Sequence, residues 1–358
     1  MSRVLKEVMD ELSPMVEEAL RNFLRKEGEE AEKLSSFQRE YYGNLEEFLL
    51  RGGKRLRPIA LIMAYEGVGG QDVEAAVEAS ICVELLHNSS LVHDDIIDRD
   101  ELRRGGPTMH VKYRDWLRRL RGERDAEHFG LSMGILAGDS LFNLGFKSLA
   151  EARFKEEVKL KALRLYVEAY EQLIDGVLMD TYLPLMLEVD EGDYLTMVDL
   201  KTGSLFEKSL TIGSTLAEAK PLQLRALSRY GILAAKGFQI QDDIIGLFGR
   251  EEEVGKPVGS DVREGKMTLL MVKALQLASL SDRERLRSLL GKRDLTAGEL
   301  AEVRRIVEGS GALEHAKNLA ASFIKEAKQQ LRLADPPLTS KALSFFEELA
   351  DFFIQRSF

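Results

Sequence analysis

Cysteine is almost absent. The 358 residues contain one, Cys82, set in an apolar run. No disulfide framework is possible, and the thiol reads as a buried core residue. Long apolar runs are missing too. No stretch looks long and apolar enough to span a membrane. The opening segment, MSRVLKEVMDELSPMVEEAL, is charged where a signal peptide would have an apolar core. The expectation is a cytoplasmic protein with no membrane span. An excess of positive charge is also lacking: Lys and Arg number 50 against 60 Asp and Glu, a formal net charge of −10. That argues against nucleic acid or an anionic membrane as partner, so an anionic ligand would need a local basic patch and metal ions. No Ser/His/Asp or Cys/His set for nucleophilic catalysis is evident.

No strand-like alternation of convincing length is found, nor any internal repeat, low-complexity segment or Pro/Gly/Ser-rich linker. Periodicity is helical nearly throughout. Leu5, Val8, Met9, Leu12, Val16, Leu20 and Leu24 share one face of a helix predicted from about Arg3 to Lys26. Further helices are predicted over 37–50, 56–68, 73–98, 128–152, 155–188 and 193–217, with amphipathic helices from 268 to the end. The reading is an all-α fold, a single helical bundle over residues 1–358 around a deep central cavity.

Within that pattern one stretch stands out, LLHNSSLVHDDIIDRDELRRGGPTMH, from Leu85 to His110. A mostly apolar helix abruptly carries Asp94, Asp95 and Asp98, and Arg103 and Arg104 follow. Asp94 and Asp98 are four apart and share a helix face. Carboxylates crowded among Leu91, Val92, Ile96 and Ile97 need compensating charge. Mg²⁺ suits them, because it is commonly completed by waters and substrate phosphates. A second stretch, FQIQDDIIGLF, places Asp242 and Asp243 in another apolar helix. Together the two could serve several Mg²⁺ ions and one polyphosphate.

RGGKRLRP, Arg51 to Pro58, is a glycine break followed by Lys54, Arg55 and Arg57. Glycines let backbone approach a ligand, and arginine suits bidentate phosphate contacts. Alone, the segment is equally an ordinary basic loop before a helix.

DDIID with RRGGPT, and QDDIIG with GKPVGSD and GK, in this order, resemble the two aspartate-rich motifs of the trans-isoprenyl diphosphate synthase family. The likeness is to the geranylgeranyl/farnesyl diphosphate synthase type, most of all to its archaeal members. It covers nearly the whole chain. It implies a prenyltransferase that joins isopentenyl diphosphate to an allylic diphosphate, using about three Mg²⁺ ions per site, and a homodimer. By resemblance the metal ligands are Asp94, Asp98 and Asp242, with Asp95 and Asp243 as supporting or alternate ligands. Lys54, Arg57, His87 and Arg104 go to isopentenyl diphosphate. Arg103, Lys201, Thr202, Gln239, Lys256 and Lys266 go to the allylic diphosphate. Ser89 and Ser90, five and four residues before Asp94, stand where early-stopping members carry an aromatic floor, which implies a product of at least twenty carbons.

The chain departs from that pattern in three places. A charged segment near 112–127, with Trp116, reads as an inserted surface helix or loop. Val177 stands where a glutamine is common, and Gly246 where a third aspartate is common. A terpene cyclase would share the fold and the first motif, but QDDIIGLFG lacks the Ser/Thr and Glu of its second metal site. A non-catalytic partner subunit would have lost aspartates or basic residues, and both sets are present here.

Overall fold

The computed structural model describes residues 2–186, 188–249 and 258–355. It is all-α. The only strands among the described residues are Leu102–Arg103 and Gly106–Pro107, two residues each, paired antiparallel with Leu102 opposite Pro107 and Arg103 opposite Gly106. The residues fall into two compact units. One comprises Lys6–Tyr166 and Thr211–Ala219, here the N-terminal unit. The other draws on Met1–Leu5, Val167–Leu210 and Lys220–Phe358, here the C-terminal unit.

In the N-terminal unit, α1 (Arg3–Glu32) buries the stripe Val8, Leu12, Val16, Leu20 and Leu24. The helix runs past the predicted end at Lys26, and the chain then turns to Ser35, whose hydroxyl caps α2 (Ser36–Leu50) at Gln38 N. Next come α3 (Leu56–Gly67) and α4 (Val73–Ile97). Asp72 caps α4 at Ala75 N, 3.0 Å away. From Ala75 to Leu86 nearly every residue of α4 is buried, so it is a central rather than an amphipathic helix. It packs along α6 (Ala126–Glu151).

The charged segment forms α5 (Met109–Arg121), which lies on α6. Trp116 stacks on Phe129 at 5.8 Å between ring centroids and meets Phe37 at the same distance. Helix α6 reaches the length and mean hydropathy of a spanning helix, a possibility the sequence reading had set aside. Its packing against α4 and α5 is that of a core helix in a folded protein.

In the C-terminal unit, α7 (Glu156–Tyr182), whose first turns belong to the N-terminal unit, stops six residues short of the predicted end. Leu183–Leu185 tightens into a 3₁₀ turn containing Pro184, which cannot continue the helix. The helix predicted over 193–217 is in three parts: α8 (Glu191–Val198), a π-helical turn at Asp199–Gly203, and α9 (Ser204–Leu216). Helix α10 (Pro221–Phe248) is the long central element, packed on Ala312–Leu331. The short helix Ser260–Glu264 and the helices from Leu269 to Ile354 complete this unit.

Candidate active site

In the N-terminal unit the acidic helix end and the basic hairpin form one assembly. Helix α4 ends at Ile97, with Asp98 as its C-cap. Asp94 and Asp98 are half-buried and Asp95 is fully buried. Arg103 Nε donates to Asp95 Oδ1 at 2.5 Å, and Arg103 Nη2 lies 3.6 Å from Asp100 Oδ2. The turn centres on Arg104 and Gly105. Both have positive φ, 50° and 74°, the pattern of the two-residue turn whose twist matches a hairpin.

Beside it lies a cluster of cations. Arg55, at φ 49° just before α3, turns its guanidinium inward. Nη1 donates to Glu84 Oε1 at 2.6 Å and Nη2 to Leu49 O at 2.7 Å. Those bonds hold a left-handed backbone that an arginine otherwise disfavours. Asn88 Nδ2 also donates to Glu84, and Asn88 Oδ1 accepts from Arg104 Nη1 at 3.5 Å. Arg57 Nε is buried with no hydrogen-bond partner among the described residues. Burial and the positive charge of Arg57, Arg104, Arg103 and Arg55 hold the His87 imidazole well below its ordinary range. It is therefore neutral, able to donate one hydrogen bond without adding charge. Four guanidiniums gathered near two buried carboxylates, Glu84 and Asp95, make a cluster with net positive charge, suited to an anion. Lys54 is exposed at its edge. Arg55, read from the sequence as a phosphate donor beside Lys54 and Arg57, is instead turned onto Glu84 and Leu49 O, and Glu84 and Asn88 were not singled out. A carboxylate and an amide four apart in an apolar helix were the available signal.

The C-terminal unit holds a second arrangement. Lys201 lies in the π-helical turn, where Gly176 admits its backbone: a Cβ at Gly176 would sit 2.2 Å from Lys201 N. Lys201 Nζ and Lys266 Nζ both donate to Asp180 Oδ2, at 2.7 and 2.8 Å. Burial raises Asp180, and the two lysines more than reverse it, leaving the carboxyl below its usual range. Thr202 Oγ1 donates to Gln239 Oε1 at 2.8 Å, and Gln239 Nε2 to Asp243 Oδ1 at 2.9 Å. Tyr194 OH donates to Asp243 Oδ2 at 2.7 Å. Asp243 is thus held by side chains, while Asp242, the next residue, is exposed.

Gly246, which stands where a third aspartate is common in the pattern the chain resembles, has a carboxylate beside it. A Cβ there would lie 3.2 Å from Asp261 Oδ2. Burial first, and then the charges of Asp261 and Asp242, push Asp243 up to about 8. Such crowding of like charge suits a divalent cation. Among the described residues no three His, Cys, Asp or Glu side chains form a cage of their own. Paired carboxylates fit Mg²⁺ completed by substrate oxygens and water. Asp180 and Asp261 are functional candidates that sequence reasoning left without a role. Lys256 lies outside the described residues.

Comparisons with known proteins bear on the family and the fold. The family model described as polyprenyl synthetase matches residues 38–307. The chain is 37% identical over 311 residues to the short chain isoprenyl diphosphate synthase of Methanothermobacter thermautotrophicus, covering 87% of this chain and 89% of that one. It is 36% identical over 331 residues to the geranylgeranyl diphosphate synthase of Saccharolobus solfataricus, covering 90% and 94%. Among solved structures, the geranylgeranyl pyrophosphate synthase of Corynebacterium glutamicum, complexed with isoprenyl diphosphate and magnesium, superposes with a TM-score of 0.91. Its identity is 27%, with 98% and 99% of the two chains covered.

The state of His87 gives a pH prediction. Its folded value lies well below the ordinary 6.5, so below that pH the unfolded chain binds a proton that the folded chain does not. Stability should therefore fall as pH drops below 6.5. His87→Asn should flatten that slope in urea denaturation at several pH values. An unchanged slope would place the imidazole outside the cation cluster.

Proposed function

The chain belongs to the polyprenyl synthetase family, and from that premise we propose that it condenses isopentenyl diphosphate with an allylic diphosphate, head to tail, to give a trans-polyprenyl diphosphate. The cluster of arginines around neutral His87 carries this reading. Lys54, Arg57, Arg104 and His87 bind the diphosphate of isopentenyl diphosphate. Lys201, Lys266, Lys256 and Arg103, with Thr202 and Gln239, serve the allylic diphosphate. Asp94, Asp98 and Asp242 hold Mg²⁺, three ions by family analogy, with Asp95 and Asp243 in support. Bound Mg²⁺ would stabilise charge developing on the departing diphosphate. The lysines and Arg103 hold that leaving group as its carbon–oxygen bond breaks and an allylic cation forms. The double bond of isopentenyl diphosphate supplies the electron pair for the new carbon–carbon bond. A proton then leaves to the released diphosphate. Asp180, which holds Lys201 and Lys266 at one oxygen, sets the two ammonium groups for this task.

The growing tail follows α4 away from Asp94. Ser89 is fully buried and donates to Gly138 O at 2.8 Å, while the Ser90 hydroxyl turns back to His87 O at 2.7 Å. Neither supplies an aromatic floor, which supports a product of twenty carbons or more. We further propose a homodimer. Leu131, Ile135, Leu136 and Phe146 on α6 are exposed, as are Leu160, Val167, Ile174 and Leu178 on α7. The spacing of seven from Leu160 to Ile174 repeats on one helix face, and such a stripe calls for a cover.

The reaction is tested by incubating the protein with isopentenyl diphosphate, each allylic primer and Mg²⁺, then sizing the products. Asp94→Ala and Asp242→Ala should each abolish turnover while helical content stays unchanged. Near-wild-type turnover of either at saturating Mg²⁺ would sink the ligand assignment. In the same assay Ser90→Phe, or Ser89→Phe, should shorten the product, because a packed tunnel does not admit both ring and chain. An unaltered length distribution, or a wild type that stops at fifteen carbons, would move the floor elsewhere.

A further inference from the structure

Arg51 is the first residue of RGGKRLRP, and it has no part in the reading above. Its side chain is 9% exposed. Nε and Nη2 each donate to the Glu47 carboxylate at 2.6 Å, a bidentate grip within α2 and its cap. Nη1 donates to Pro107 O, also at 2.6 Å. The guanidinium sits 5.5 Å above the Phe48 ring. Lys112 Nζ donates to Glu47 Oε2, the oxygen that also takes Arg51 Nη2, at 3.0 Å. The Arg51 hydrogen bonds, opposed by burial and joined by Lys112, take the Glu47 carboxyl down to about 2, so the grip persists at any working pH.

The far end of this grip is the hairpin that carries Arg103 and Arg104. Pro107 and Gly106 form its second strand, and Gly106 pairs with Arg103. A Cβ on Gly106 would lie 2.6 Å from Arg51 Nη1 and 2.7 Å from Cζ. Gly106 is therefore the notch that receives the guanidinium. The same loop that begins with Arg51 brings Gly53 under Arg104, where a Cβ would be 3.4 Å from Arg104 Nη2. Arg103 has its own anchor on Asp95 at 2.5 Å. Among the described residues Arg104 has the long side-chain bond to Asn88 at 3.5 Å and none shorter, so its placement depends on the hairpin.

We propose that Arg51, seated in the notch of Gly106, is a positioning residue that fixes Arg104 against the RGGKR loop and so sets the affinity for isopentenyl diphosphate. The proposal rests on the reading of this pocket as the isopentenyl diphosphate site. Lysine cannot replace Arg51, because one ammonium cannot span a carboxylate and a carbonyl in a fixed plane.

Steady-state kinetics on Arg51→Gln, Arg51→Lys, Gly106→Ala and the Arg51→Gln/Gly106→Ala double variant test it. Each single variant should raise KM for isopentenyl diphosphate about tenfold, the scale of one misplaced charge-assisted contact. KM for the allylic substrate and kcat should move by less than about twofold. The double variant should be no worse than either single, since each removes the same contact. Rescue by Arg51→Lys, additive losses in the double variant, or a rise in the allylic KM instead would overturn it. Should Arg51→Gln fail to fold in a thermal melt, Gly106→Ala decides alone by the same KM split. Lys54→Ala runs beside them: if it leaves KM for isopentenyl diphosphate unchanged, the pocket assignment has failed, independently of the Arg51 result.

Discussion

The ion pair between Arg55 and Glu84 is the contact on which the N-terminal unit's site depends. Its bond length is 2.6 Å, with side-chain exposures of 0% and 4%. A lone buried charge on either side would be strongly destabilising, and breaking such a pair costs about 3–5 kcal/mol. The pair therefore fixes where α3 begins and how the RGGKR loop crosses α4. With Arg55 paired to Glu84 and Arg103 to Asp95, the guanidiniums of Arg57 and Arg104 join them around His87, four positive charges against two buried carboxylates. Positive charge held together in this way is costly to the empty protein and is relieved by an anion. Arg51 extends the same logic outward, through Glu47, to the hairpin.

The C-terminal unit presents the opposite problem. Its site gathers carboxylates, and Asp243 is pushed up by burial and by Asp261 and Asp242. Tyr194 and Gln239 hold the Asp243 carboxylate in place. Its cations, Lys201 and Lys266, meet on one oxygen of Asp180. One unit thus offers a site that an anion can satisfy directly. The other offers carboxylates and lysines together, which suit a metal-bound diphosphate.

Much of this was legible in the sequence. The apolar spacing of α1 is a local signal, and local physics decided that helix. The aspartate pairs stood out because charge inside an apolar helix is costly and needs a reason. What escaped were features set by contacts distant in sequence. The π-helical turn at Asp199–Gly203 follows from packing against Gly176, which periodicity does not report. The carboxylate of Asp261 lies against Gly246 although fifteen positions separate them in the chain, so counting residues after Asp242 could not find it. Arg55 and Glu84, 29 residues apart, have the same character. The hairpin turn on Arg104–Gly105 is set by the pairing of Arg103 with Gly106, a register the sequence does not show.

The central claim is that the arginine cluster around His87 is a preformed anion site that needs no metal. Calorimetric titration of isopentenyl diphosphate into the protein, with divalent ions chelated and ionic strength varied, tests it most directly. The account predicts saturable one-site binding under chelation that weakens as salt is raised. Binding that vanishes until Mg²⁺ is added would contradict it.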